Sequence, residues 1–288
     1  MGSSMTADLP QPSPLQYFAT LVADDGDFPL LEAAASLAQD DYPAMDVQQV
    51  PTEVDLLLVR LKRRVADDAE PLQRLITLNQ FFYRELGFGG NVNHYHDPDN
   101  SYLHRLLHTR RGIPVSLAVL WMELAQGVGL DVRGISFPGH FMIKVHLPLG
   151  IAVVDPLNGE SLDRDELSGR LEPWRGGPAI PEDFDAPLAL YLQAAPPRDI
   201  IARMLRNLKE IHRTQGDWPR LLAVQHRLIV LLPGDWPEYR DRGFVYAELG
   251  DADLAVQDLQ TYLDQAGNVV DRTGLLARIS ELKAGGLG

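Results

Sequence analysis

With 288 residues, 45% hydrophobic and 23% charged, the chain is long enough for two ordinary domains and apolar enough to fill their cores. A formal net charge of −14 repels phosphate backbones, so nucleic acid is not an expected partner. There is no cysteine, which excludes disulfides, thiolate metal sites and a cysteine nucleophile within these residues.

The opening MGSSMTADLPQPSP is polar and proline-rich and lacks the basic start and apolar run of a secretory signal. Residues 1–14 are expected to form a flexible tail. From 15 to 90 the pattern is helical. "PLLEAAASLAQDDY" sets Leu30, Leu31, Ala34, Leu37 and Ala38 at steps of three and four, one face of a helix. "EVDLLLVRLKRRVADD" does the same with Val54, Leu57, Leu58, Leu61 and Val65, and its cations Arg60, Lys62, Arg63 and Arg64 read as a solvated face. A third helix, "PLQRLITLNQFFYREL", opens at Pro71 and is stopped by Gly87. "FGGNVNHYHDPDNS" follows, a loop of a length that is often functional.

From 91 to 195 the period changes. "SYLHRLLHTRRG" and "IPVSLAVLWMELAQGVG" read as helices, each closed by glycine. The longest apolar stretch, 113–125, contains Ser116 and Glu123 and falls short of the ~20 residues that span a membrane. No membrane partner is expected, and a cytoplasmic location is. The strand-like runs "DVRGISF", "FMIKVHL" and "IAVVDPL" come next, the last two flanking the hairpin loop "LPLG". Helices followed by an antiparallel meander predict an α+β fold. "GRLEPWRGGPAIPEDFDAP" reads as a covering loop and linker. From 196 to 288 the chain is helical and repeats itself: Gly216-Asp217 recurs as Gly250-Asp251 after 34 residues, Leu221 falls on Ala255, and Leu228 falls on Tyr262. That period fits tetratricopeptide helix-turn-helix units. Two such units bury too little surface alone, so the array is expected to lean on the middle domain.

"NSYL", "RRGIPVSLA", "PGHF" and "VVDPLNG", in this order, resemble the core of the transglutaminase-like superfamily, with its papain-like α+β fold and antiparallel sheet. More closely, the chain is similar to the bacterial invasion-regulator family of the SirB type, in which such a core precedes tetratricopeptide repeats. The resemblance covers 72–167 and, with the repeats, most of the chain. It implies a cysteine nucleophile at a helix start, a histidine opening a strand and an aspartate on the next strand. The nucleophile position falls on Pro114, the histidine on His140 and the aspartate on Asp155. A helix N-terminus favours a thiolate through its unpaired N–H groups. Proline suits the same first-turn position but supplies no attacking atom. Ser116, about 200° round the helix from position 114, is a weak substitute whose bland role is a capping-type hydrogen bond.

If 147–150 closes a hairpin centred between 148 and 149, residue 140 pairs across from 157 and Asp155 is its diagonal neighbour on the same face. The pair then either stiffens the sheet, activates a water or binds a ligand. Asn100, Ser101 and Tyr102 match the family motif and are pocket candidates, with Asn100 or Ser101 also suited to cap the next helix. Tyr102 and Trp121 read as core aromatics. His104 and His108 share a helix face and His94 and His96 precede them, but no HExxH or carboxylate spacing accompanies them. No metal and no cofactor is expected. The chain reads as a non-catalytic protein-binding or regulatory module whose partner is a protein or peptide. The alternative is a hydrolase or acyl-transfer enzyme using His140 and Asp155 with water or Ser116.

Overall fold

The computed structural model describes residues 12–26, 28–91, 94, 96–175, 188–269 and 271–285. The expected tail therefore lies outside the described residues up to position 11, as does the expected linker from 176 to 187.

Helix α1 (Pro14–Leu21) starts at a Ser13 capping box, and α2 (Leu30–Ser36) continues into a 3-10 turn at Leu37–Asp40. After α3 (Gln49–Lys62), α4 (Pro71–Asn79) runs on into a π turn, Gln80–Glu85, and ends where Gly87 takes a φ of +73°. Strand β1 (Gly89–Gly90) pairs in parallel with β2 (Arg111–Gly112), which joins α5 (Leu103–Thr109) to α6 (Pro114–Gly127). The apolar stretch at 113–125 is therefore the central helix. Leu117, Leu120, Trp121 and Leu124 are all buried, as expected of a helix that is apolar all round.

Strands β3 (Asp131–Ile135), β4 (Met142–Leu147), β5 (Gly150–Val154) and β6 (Ser161–Leu162) form an antiparallel meander in that order. Leu147 pairs with Gly150 and Lys144 with Val153, the hairpin register the spacing predicts. Val132, Ile143, Val145 and Val154 face the main core. On the other face Ile135, Met142, Val153 and Leu162 form a second cluster with Leu167 and Leu171 of α7 (Arg164–Arg175), flanked by α8 (Leu188–Tyr191). The loop expected from 169 onward is thus helical as far as 175. Pro173 is tolerated near the helix end, where its missing N–H costs a single bond.

Among the described residues five more helices follow: α9 (Pro197–Gln215), α10 (Trp218–Leu231), α11 (Trp236–Glu248), α12 (Ala252–Gln265) and α13 (Arg272–Gly285). Gly216 and Gly250 both turn the chain through positive φ, +68° and +83°. The next residues, Asp217 and Asp251, each accept a backbone N–H three residues on, at 3.2 Å. Leu221 and Ala255 are both buried, and so are Leu228 and Tyr262, so the positions matched by the 34-residue period share their burial. The array leans on the rest: Ile201, Met204, Leu205 and Leu208 of α9 belong to the main core with Phe18 and α6.

Candidate functional site

His140 sits in the turn before β4, where its N–H donates to the Phe137 carbonyl at 3.1 Å and Gly139 takes a φ of +69°. It precedes the strand rather than opening it, since β4 begins at Met142. Asp155 is the residue after β5, and its N–H closes a short loop by donating to the Glu160 carbonyl at 2.9 Å. The diagonal contact inferred from the hairpin register is made: His140 Nε2 lies 3.0 Å from Asp155 Oδ1.

Asp155 has two further partners. Its Oδ1 accepts the Leu157 N–H at 3.0 Å, and its Oδ2 accepts from Arg170 Nη1 on α7, also at 3.0 Å. The side chain is only 6% exposed. Burial works against its charge, yet the bonds from His140, Leu157 and Arg170 together hold the carboxyl below the usual carboxylate range. The loop is also fixed from behind. Tyr83 Oη donates to the Pro156 carbonyl and Asn79 Nδ2 to the Gly159 carbonyl, both at 3.1 Å. Trp121 Nε1 donates in turn to Asn79 Oδ1 at 3.0 Å, so the buried Trp121 of α6 orients the residue that holds the loop. On the solvent side Trp174 lies against Gly139, where a Cβ would come within 2.7 Å of the indole.

Pro114 is the first residue of α6 and is buried, with Ile113 as an extended N-cap. The helix start and the Asp155 loop are joined through β1. Leu157 packs on Gly90, where a Cβ would be 2.8 Å from its Cδ2, and Gly90 pairs with Gly112. Ser116 is fully buried; its hydroxyl donates to the Asn100 carbonyl at 2.6 Å and accepts the Ile113 N–H at 3.1 Å. Its proton goes to a carbonyl, and the side chain performs the capping role rather than meeting His140.

The other motif residues lie elsewhere in the fold. Asn100 Nδ2 donates to the His94 carbonyl at 2.7 Å and its Oδ1 accepts from Asn91 at 3.0 Å. Tyr102 Oη donates to Asp41 Oδ2 at 2.8 Å. Neither Asn100 nor Ser101 caps α5. Both lie in the 3-10 turn Pro98–Ser101, so Tyr102 falls at the cap position and its side chain makes no cap bond. His104 stacks edge-on against Tyr42, with ring centroids 4.6 Å apart, and burial, then the charge of Arg105, lowers its affinity for a proton. His108 is exposed. Among the described residues no three histidine or carboxylate side chains gather as a metal site.

Sequence reasoning missed Arg170, because Gly169, Pro173 and the glycines beyond made its segment read as loop. A signal was present. Asp163 and Glu166 are spaced as a capping box, and they form one: Asp163 Oδ1 accepts the Glu166 N–H at 2.9 Å, and Glu166 Oε2 accepts the Asp163 N–H at 2.8 Å.

A buried helix start, a histidine before one strand and an aspartate after the next, on a helix-then-meander scaffold, define a transglutaminase-like protein with an appended helical repeat. The model of the transglutaminase-like superfamily matches residues 48–206 and that of the tetratricopeptide repeat matches 208–280. The chain belongs to the transglutaminase-like superfamily, among the UPF0162 proteins. It is 37% identical over 241 residues to a UPF0162 protein of Xylella fastidiosa, covering 83% of this chain and 85% of that one. Similar relatives occur in Pseudomonas aeruginosa, at 29% identity over 88% and 90% of the two chains, and in Vibrio cholerae, at 28% over 83% and 87%. The crystal structure of menin aligns with 88% of this chain and 71% of its own at 13% identity and a TM-score of 0.42, a likeness too slight to inform the site.

Proposed function

We propose that the chain is a non-catalytic, SirB-type protein of the cytoplasm that binds a protein partner, and that its His140–Asp155 pair is a structural clamp. One observation carries this reading: proline stands at position 114, where the superfamily's attacking sulfur belongs. The state of Asp155 supports it, because both carboxylate oxygens are engaged and tie the β4–β5 hairpin to α7. Asn100, Ser101 and Tyr102 then serve the packing under the helix start rather than a ligand.

The partner is a peptide segment, and its seat is a cleft of about 530 Å³ between α9, α10 and α11. Trp218, Leu221, Phe244 and Val245 supply apolar surface there, with a mixed rim of Lys209, Arg213, Arg240, Asp241 and Glu248 in which Asp241 pairs with Lys209 and Arg240. A pull-down from the native bacterial extract tests this. The same protein should be recovered by the unaltered chain and by His140→Ala, and lost with Phe244→Glu. Loss with His140→Ala, or equal recovery with Phe244→Glu, contradicts it.

A hydrolase reading is favoured by one feature. Nε2 of His140 is held by Asp155, no partner among the described residues reaches Nδ1, and the side chain is 18% exposed. Such a ring could take a proton from water. Turnover of amide or ester substrates that His140→Ala abolishes would establish it.

A further inference from the structure

The outer face of the sheet carries a cleft that shares no lining residue with the His140 corner or the repeat. The strand register places Lys144 beside Val153 and Val153 beside Leu162, one row across three strands. Among the described residues, this row, α7 and α8 line a cleft of about 500 Å³. Val153, Leu162 and Leu167 are its buried apolar floor. Leu188 and Leu192 form one wall, and Lys144 and Arg164 flank the row at its two ends.

The charges decide what fits. In a chain of net charge −14, neither Lys144 nor Arg164 makes an ion pair or a side-chain hydrogen bond among the described residues. Their neighbours are already engaged. Arg133, across from Lys144 in the register, is paired with Asp131 at 2.9 Å. Asp163 also lines the cleft; its Oδ1 accepts the N–H groups of Asp165 and Glu166, both at 2.9 Å, which turns that oxygen to the start of α7, and the Glu166 carboxylate accepts the Asp163 N–H. Asp165 is exposed at the first turn of α7. The rim therefore offers two uncommitted cations above an apolar floor, a pattern that favours a ligand with an anionic head and an apolar body.

We propose that this cleft binds an anionic amphiphile, a medium-length acyl carboxylate. The chain lies along Val153, Leu162 and Leu167 and the carboxylate meets Lys144 or Arg164. The volume falls within the range of about 300–1,000 Å³ usual for small-molecule sites. Three strands span about 10 Å, the reach of a medium-length acyl chain.

Titration calorimetry on the full chain, with decanoate, octanoate and decanol as probes, tests the proposal. Decanoate should bind one to one, and each methylene removed should weaken it by up to roughly fourfold. Decanol should bind about tenfold more weakly than decanoate, and added salt should narrow that gap. The double variant Lys144→Gln, Arg164→Gln should lose about tenfold for decanoate and nothing for decanol. The head-group series uses the unaltered protein, so it decides the matter even if the variant misfolds. No heat with decanoate at millimolar concentration overturns the proposal. So does decanol binding as tightly as decanoate, an unchanged affinity in a folded double variant, or tighter binding there by an acidic apolar peptide.

Discussion

The two repeat units share their local chemistry and differ in what they pack against. Each has a left-handed glycine followed by an aspartate that caps the next helix, 34 residues apart. In the first unit, Met204, Leu205, Leu208 and Leu228 are built into the main core with α6. In the second, Leu259, Tyr262 and Leu263 form a satellite cluster with Leu275 and Ile279 of α13, against which Trp236 of α11 packs, apart from the main core. A turn-and-cap motif therefore fixes the shape of a unit without fixing its stability. That depends on neighbours, as expected where each repeat contacts little beyond the next.

Truncations should separate the units most strongly. Leu205→Ala in α9 removes a fully buried side chain from the shared core and is expected to cost about 3–5 kcal/mol and lower the single global transition. Leu263→Ala in α12 should cost less, about 2 kcal/mol, and appear in hydrogen exchange as early opening of α12 and α13 alone. Equal, global effects would erase the distinction.

The His140 corner lies in neither unit and is a control. Asp155→Asn deprives three partners, His140, the Leu157 N–H and Arg170, of a charged acceptor and should cost about 2–3 kcal/mol in chemical denaturation, with the repeat's opening unchanged. Because the folded carboxyl titrates below its ordinary value, its contribution is present above that range and is lost as pH falls through it. The variant should accordingly show a flatter loss of stability in acid.

Removing either cap, Asp217→Ala or Asp251→Ala, should cost about 1 kcal/mol, with a few tenths more at Asp217, whose Oδ2 also pairs with Arg220 at 2.9 Å. The smallest effect is one of pH and belongs to the first unit. His212 of α9 is buried with no partner among the described residues on either ring nitrogen, and Tyr246 stands 34 residues on. Burial lowers its affinity for a proton, against the opposing pull of Asp41 and Asp217 and with a smaller push from Arg220. A depressed folded pKa means the stability is present above the ordinary histidine value of about 6.5 and is lost as pH falls below it. Thermal melts between neutral and mildly acid pH should show that loss, and His212→Leu should diminish it.

What was legible in the sequence follows the same divide. The hairpin register puts His140 and Asp155 in contact once the turn is centred between 148 and 149, as the Leu147–Gly150 pair shows it to be. The 34-residue period exposed the repeat and its turns. Periodicity names the buried face of a helix but not what covers it, so the docking of α9 against α6 was foreseen only as a general need. Arg170 is hidden in the sequence because Gly169 and Pro173 beside it read as helix breakers, although Leu167 and Leu171 mark a buried helical face. The expected caps at Asn100 and Ser101 failed because a 3-10 turn started earlier, at Asp97.

The central claim is that a transglutaminase-like site with proline in place of its attacking sulfur supports structure and not turnover. Purified chain and His140→Ala should be assayed side by side for hydrolysis and cross-linking of glutamine side chains and for ester cleavage. The claim predicts two traces indistinguishable from background. Turnover by the unaltered chain that disappears in His140→Ala would contradict it.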